Sequence, residues 1–152
     1  MPKYRARFKG GDGSDERRNS LGLDGARLNR LLDILDEKAG EAPLKRVHVR
    51  WPFRCESITF RLIEGFGSRR EFKVAARNLS NSGLSVIHNA YVHPGTECEV
   101  VLSLNERFDH SLQTIRGKVC RCQHIQGVVH EVGVAFDEHI DAREYLALDS
   151  MP

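Results

Sequence analysis

The chain has 152 residues, 40% of them hydrophobic, and a formal net charge of +2, which fits one domain of ordinary size plus an appendage and supplies enough apolar material for a core. It contains no run of 18 apolar residues and no apolar stretch at its N-terminus, so the sequence predicts neither a transmembrane helix nor a secretory signal, and a cytoplasmic protein. The charge is uneven: residues 1–43 sum to +1, residues 44–80 to +6 and residues 81–152 to −5, so the field that attracts phosphates belongs to the middle of the chain.

Residues 1–23 mix charge with glycine and serine and show almost no periodic apolar positions, which predicts a mobile tail. The GGDG within it follows no apolar strand and lacks a GK[ST] ending, so it is not a phosphate loop. From residue 24 to 38 the pattern becomes helical: Leu28, Leu31, Leu32 and Leu35 form one stripe, Asp24 can cap the N-terminus and Gly40 can stop the helix. A single leucine stripe on a charged helix needs a partner surface, which is the barrel of its own chain, a second copy or another protein. Residues 41–43 make a short linker.

The next segment, LKRVHVRWP, begins at Leu44. Two valines and Pro52 favour an extended run, in which Arg46, His48 and Arg50 share one side and Val47 and Val49 the other. The two arginines then stand roughly 13 Å apart, a span suited to a ligand with more than one anionic or planar group. Residues 54–63 and 70–77 alternate around a turn at 64–68 and predict a hairpin. The segment RNLSNSG follows, where Asn78 and Ser80 can share a face and Gly83 supplies a backbone conformation that a Cβ would resist. An amide beside a hydroxyl offers donors and acceptors to a base edge.

Further strands are predicted at 84–87, 96–104, 113–122 and 128–137, and a last short helix at 141–148 with Asp141 as its cap. Six closely spaced strands imply a barrel or sandwich, and a barrel leaves no exposed edge. Cys55, Cys98, Cys120 and Cys122 match no metal spacing, and Cys120 and Cys122 should point to one face of a strand. They are read as reduced thiols. No catalytic constellation and no metal site stands out.

RVHVR fits an RxxxR signature and NLSNSG a [D/N]xSxxG signature, in that order and separated by a strand pair. In this the chain resembles the PilZ domains, bacterial receptors for cyclic di-GMP. The resemblance covers about residues 44–148 and implies a mainly β fold, a six-stranded antiparallel split barrel with a short C-terminal helix, to which this chain adds the N-terminal helical extension. It also implies a binding module, not an enzyme, with cyclic di-GMP as ligand, no cofactor, and an unidentified downstream protein in motility, biofilm or related regulation, as monomer or homodimer. By resemblance Arg46 and Arg50 grip guanine and phosphate groups, Asn78 and Ser80 bond to a guanine edge, and Gly83 shapes the turn that presents them. Lys45 and Arg77 are additional phosphate contacts. Two rival readings are an interaction adaptor that has lost the nucleotide and works through its leucine stripe, and a small basic barrel for nucleic acid. For the latter the candidate stacking aromatics are Trp51, Phe53, Phe60, Phe66 and Phe72.

Overall fold

The computed structural model describes residues 19–39 and 49–148. Among these residues one helix, α1 (Gly25–Ala39), precedes six strands: β1 (Trp51–Ile63), β2 (Arg69–Leu79), β3 (Gly83–His88), β4 (Glu97–Ser103), β5 (Leu112–Gln126) and β6 (Val129–Phe136). Every pairing is antiparallel, and the order β1-β2-β3-β6-β5-β4 closes into a barrel. Among the described residues no helix is long and apolar enough to cross a membrane.

Alternation builds the interior. Phe60 and Leu62, Val74 and Ala76, Leu84 and Val86, Val100 and Leu102, and Val132 and Val134 all enter one buried cluster, as the period of two in a strand requires. Cys98 joins them, and burial pushes its thiol up to about 12, so it stays protonated. In two places an extra residue breaks the alternation. On β2 the register passes from Ala76↔Val86 to Asn78↔Ser85, leaving Arg77 as a bulge. On β5 it passes from Val119↔Val134 to Arg121↔Gly133, which does the same to Cys120. Cys120 is therefore exposed while Cys122 packs against the core, and the two do not share a face as simple alternation predicts.

The leucine stripe of α1 docks on its own barrel. Leu28, Leu32 and Leu35 bury against Ala75 and Ile87, which face each other across β2 and β3 on the outer surface, with Leu21, Leu23, Ile125 and Val129 at the margin. Asp24 caps the helix as expected, its Oδ1 accepting the Arg27 amide at 2.9 Å; Gly40 lies outside the described residues. Residues 19–23, expected to belong to a mobile tail, are held in place. The Asn19 amide donates to the Glu56 and Leu23 carbonyls, and the Ser20 amide donates to the Lys73 carbonyl at 2.7 Å. With the stripe consumed inside the molecule, Leu32→Ala should cost about 3 kcal/mol, the usual scale for a buried leucine. Hydrogen exchange should show the loss over residues 25–39 first, with the barrel still protected.

The expected C-terminal helix is reduced to one 3-10 turn, Ala142–Glu144. Asp141 does cap it, through the Arg143 amide. The Asn105 side chain donates to the Arg143 and Leu146 carbonyls, at 3.0 and 3.1 Å, and the Ala142 amide donates to Asn81 Oδ1. Those bonds tie the segment across the barrel end, where Ala142 and Leu146 enter the core. At the β1–β2 hairpin, Phe66 holds a left-handed backbone (φ 63°, ψ 18°), which costs a residue with a Cβ roughly 1 kcal/mol.

His88 is 1% exposed, edge-on to Phe60 and Phe72, with Nδ1 2.8 Å from the Ser20 hydroxyl. Burial, aided by His130 and Arg70, depresses its pKa to about 4. The unfolded chain takes up this proton near pH 6.5 while the folded chain resists it, so stability is complete above about 6.5 and falls as the pH drops toward 4, by about 3 kcal/mol in all. Urea melts across that range should show the decline, and His88→Phe should flatten it.

Candidate functional site

Arg50, Asn78, Ser80 and Gly83 converge on one cleft of about 310 Å³, which they line together with Ser82, Ser85, Cys120, Arg121 and Gly133. Strand register explains the convergence. Trp51 pairs with Leu79 and Pro52 with Asn78, so Arg50, one step beyond, arrives at the end of β2. Lys45, Arg46 and His48 lie outside the described residues.

The Arg77 bulge determines how Asn78 is presented. Asn78 Oδ1 accepts the Ser85 hydroxyl at 3.1 Å, and among the described residues the amide nitrogen has no protein acceptor. That leaves two N–H donors for a ligand. Ser80 is 6% exposed and organises the turn: its Oγ accepts the Ser82 and Gly83 amides at 3.2 and 3.1 Å, while its own amide donates to the Gly83 carbonyl at 2.9 Å. Its hydroxyl can donate to the Gly83 carbonyl at 3.4 Å, with the Ser82 hydroxyl 3.3 Å away. The glycine requirement at 83 has a different origin from the one the sequence implies. Its φ is not left-handed; instead a Cβ there would lie 2.4 Å from the Val134 carbonyl oxygen. Gly83 permits β3 to approach β6 at the rim of the cleft.

Arg77 goes elsewhere. Its guanidinium bonds to Glu131 at 2.7 Å and to Asp36 of α1 at 2.8 Å, with 11% of the side chain exposed, and it does not line the cleft. Asp36 and Asp33 also pair with Arg54, each at 2.9 Å. The residue next to Asn78 thus ties the helix to the strand that carries the motif.

Sequence reasoning missed Arg121. Its side chain crosses Gly133, where an added Cβ would come 3.0 Å from Arg121 Cγ, and among the described residues no carboxylate pairs with it. Only the β5–β6 register and the Cys120 bulge bring it to the motif, and neither leaves a signal in local sequence. Among the described residues the lining contains two guanidinium groups, an amide and three serine hydroxyls, and no carboxylate. Such a set suits a ligand with phosphates and a base edge rich in acceptors. A separate cavity of about 280 Å³, bounded by Phe53, Ile58, Tyr145 and Leu146 and by polar groups such as Lys73 and His110, contains none of the motif residues. Of the candidate stacking aromatics, Phe53 and Phe60 are buried, Trp51 and Phe72 pack against the core, and Phe66 lies at the far end of β1. Among the described residues no group of three or more His, Cys, Asp or Glu side chains is arranged to hold a metal.

The profile of the PilZ domain matches residues 45–151. The chain belongs to the PilZ domain family. No curated protein matches it. Among solved structures it is similar to the Bacillus subtilis inhibitor of motility, MotI/DgrA, at 13% identity and TM-score 0.45, over 67% of this chain and 47% of that one. It is also similar to Borreliella burgdorferi PlzA, solved in complex with c-di-GMP, at 18% identity and TM-score 0.39, over 77% of this chain and 41% of that one. This PilZ chain therefore corresponds to less than half the length of either protein.

Proposed function

We propose that this PilZ domain is a receptor for cyclic di-GMP, acting by binding and not by catalysis, in the bacterial cytoplasm. The observation that carries the reading is the convergence of Arg50, Asn78, Ser80 and Gly83 on one cleft that has no carboxylate among the described residues. Family membership supports it. In this reading Arg50 grips a phosphate or the O6/N7 edge of a guanine, the Asn78 amide and Ser80 hydroxyl donate to a guanine edge, and Arg121 adds a second cation. Arg46 completes the RxxxR pair, and Lys45 is a further phosphate contact. Arg77 serves the site by holding its strand to α1, a contact that gives a bound ligand a route to a downstream protein.

Isothermal titration with cyclic di-GMP, against a GTP control, tests the receptor reading. Saturable heat for the first and none for the second is expected, and the stoichiometry separates a single ligand from a stacked pair. Absence of heat and of any thermal shift at high ligand concentration would discard it. The relay rests on the Arg77–Asp36 contact and requires that the ligand favour one arrangement of the helix. Hydrogen exchange over residues 24–50 should change on saturation; unchanged protection would remove the relay and leave the receptor.

A further inference from the structure

Two histidines stand directly opposite each other near the tip of the β5–β6 hairpin. His124 pairs with His130 in the register, so their side chains leave the same face of the sheet from Cβ atoms about 5 Å apart. Their ring centroids are 5.2 Å apart. His124 is exposed and His130 half-buried, and neither borders the cleft of Arg50 and Asn78.

Each ring is anchored through one nitrogen. His124 Nε2 lies 2.9 Å from the Gly127 carbonyl oxygen, and His130 Nδ1 lies 2.8 Å from the Val128 carbonyl oxygen. A carbonyl oxygen only accepts, so both of these nitrogens carry the proton. The neutral imidazole then keeps a lone pair on its other nitrogen, His124 Nδ1 and His130 Nε2. Among the described residues neither lone pair accepts a hydrogen bond. Gly127 and Val128 are the two turn residues, so both anchored nitrogens face the turn and both lone pairs face away from it.

A backbone carbonyl behind the ring is the partner that metal-ligating histidines ordinarily have, because it fixes the tautomer, orients the ring and raises the basicity of the second nitrogen. Two imidazole nitrogens held on one ion at about 2.1 Å place their ring centres on the order of 5 Å apart. The observed separation meets that requirement. The neighbours do not close the site: Cys122, two residues back along β5, has its sulfur engaged by the Val92 amide at 3.4 Å, and His88 turns its Nδ1 to Ser20. The hairpin thus offers two protein ligands.

We propose that His124 and His130 form a binding site for a divalent d-block ion such as zinc or nickel, with water completing its coordination, and that the ion staples β5 to β6 at the hairpin tip. Imidazole selects such ions over magnesium and calcium, which take oxygen ligands. Two protein ligands make an exchangeable site, in contrast to the closed four-ligand sites of structural zinc. The stapled strands are the ones that bring Arg121 and Gly133 together at the cleft.

Isothermal titration of the full chain with zinc chloride at about pH 8, where imidazole is neutral, provides the test. A saturable site is expected with zinc and none with magnesium chloride. His124→Gln and His130→Gln should each weaken zinc binding by about 10-fold or more, whereas His139→Gln, at an exposed position beyond β6, should leave it unchanged. Zinc should raise the thermal midpoint of the wild type and of neither hairpin variant, since an ion that binds the folded pair stabilises it. Without zinc the variants should melt with the wild type, which separates lost ligation from lost folding. On the wild type, paramagnetic nickel chloride should broaden the backbone NMR signals of the β5–β6 hairpin first. No saturable zinc heat up to about 1 mM, undiminished affinity in either hairpin variant, or nickel broadening centred elsewhere would each overturn the proposal.

Discussion

Arg50→Ala should reduce cyclic di-GMP affinity by at least about 100-fold, the equivalent of about 3 kcal/mol, because a forked, charge-assisted contact to a phosphate or guanine is lost without replacement. The expectation rests on the place of Arg50 at the mouth of a cleft whose other described cation is Arg121. It should leave folding intact, since Arg50 is exposed and precedes the first residue of β1. Arg50→Lys keeps the charge and discards the planar fork, so it should recover only part of the loss. Arg121→Ala should cost about 10-fold, the value of one peripheral charge-assisted bond. Calorimetric titrations at one fixed salt concentration read all three. Wild-type affinity in Arg50→Ala would place the ligand outside this cleft.

Gly83→Val should be among the most damaging single changes in the barrel. The new Cβ would fall 2.4 Å from the Val134 carbonyl oxygen, a backbone atom that cannot swing aside. Accommodating it means parting β3 from β6 where Gly83 pairs with Ala135, and withdrawing the Gly83 amide from Ser80. The cost should be about 4 kcal/mol, lowering the midpoint of a domain of this size by roughly 10 °C. Nucleotide binding should vanish even below that midpoint, because the displaced turn is the one that carries Ser80. Gly65→Ala is the control: the space there is open and the φ is not left-handed, so little should change. A Gly83→Val protein that melts like the wild type would show that β3 and β6 approach less closely than described.

Period-two alternation made the six strands legible, and the leucines at 28, 32 and 35 made the helix legible, because both patterns report burial against a neighbour and both neighbours exist. Of the motif residues, the fold brings Arg50, Asn78, Ser80 and Gly83 together on one cleft. What stayed hidden depends on register. A bulge shifts every later side chain by one, so the outward turn of Arg77 and the separation of Cys120 from Cys122 cannot be read from spacing. Arg121 reaches the cleft only across a strand pair formed far along the chain. The tie between Asn105 and the carbonyls of the last segment is equally hidden, because the partners are distant in sequence. Residues 19–23 looked like tail because they have little periodicity, yet Asn19 alone satisfies backbone groups at Leu21, Leu23 and Glu56.

The docking of α1 separates two boundaries that are often treated as one. Family similarity starts at residue 45, but packing against the barrel reaches back at least to residue 19, where Asn19 and Ser20 bond to β1 and β2. A protein cut at the start of the similarity would uncover Ala75 and Ile87 on the outer sheet and remove Asp33 and Asp36 from Arg54, and Asp36 from Arg77. Its exposed apolar patch would invite aggregation, and weak nucleotide binding in such a fragment would reflect the missing brace and not the cleft.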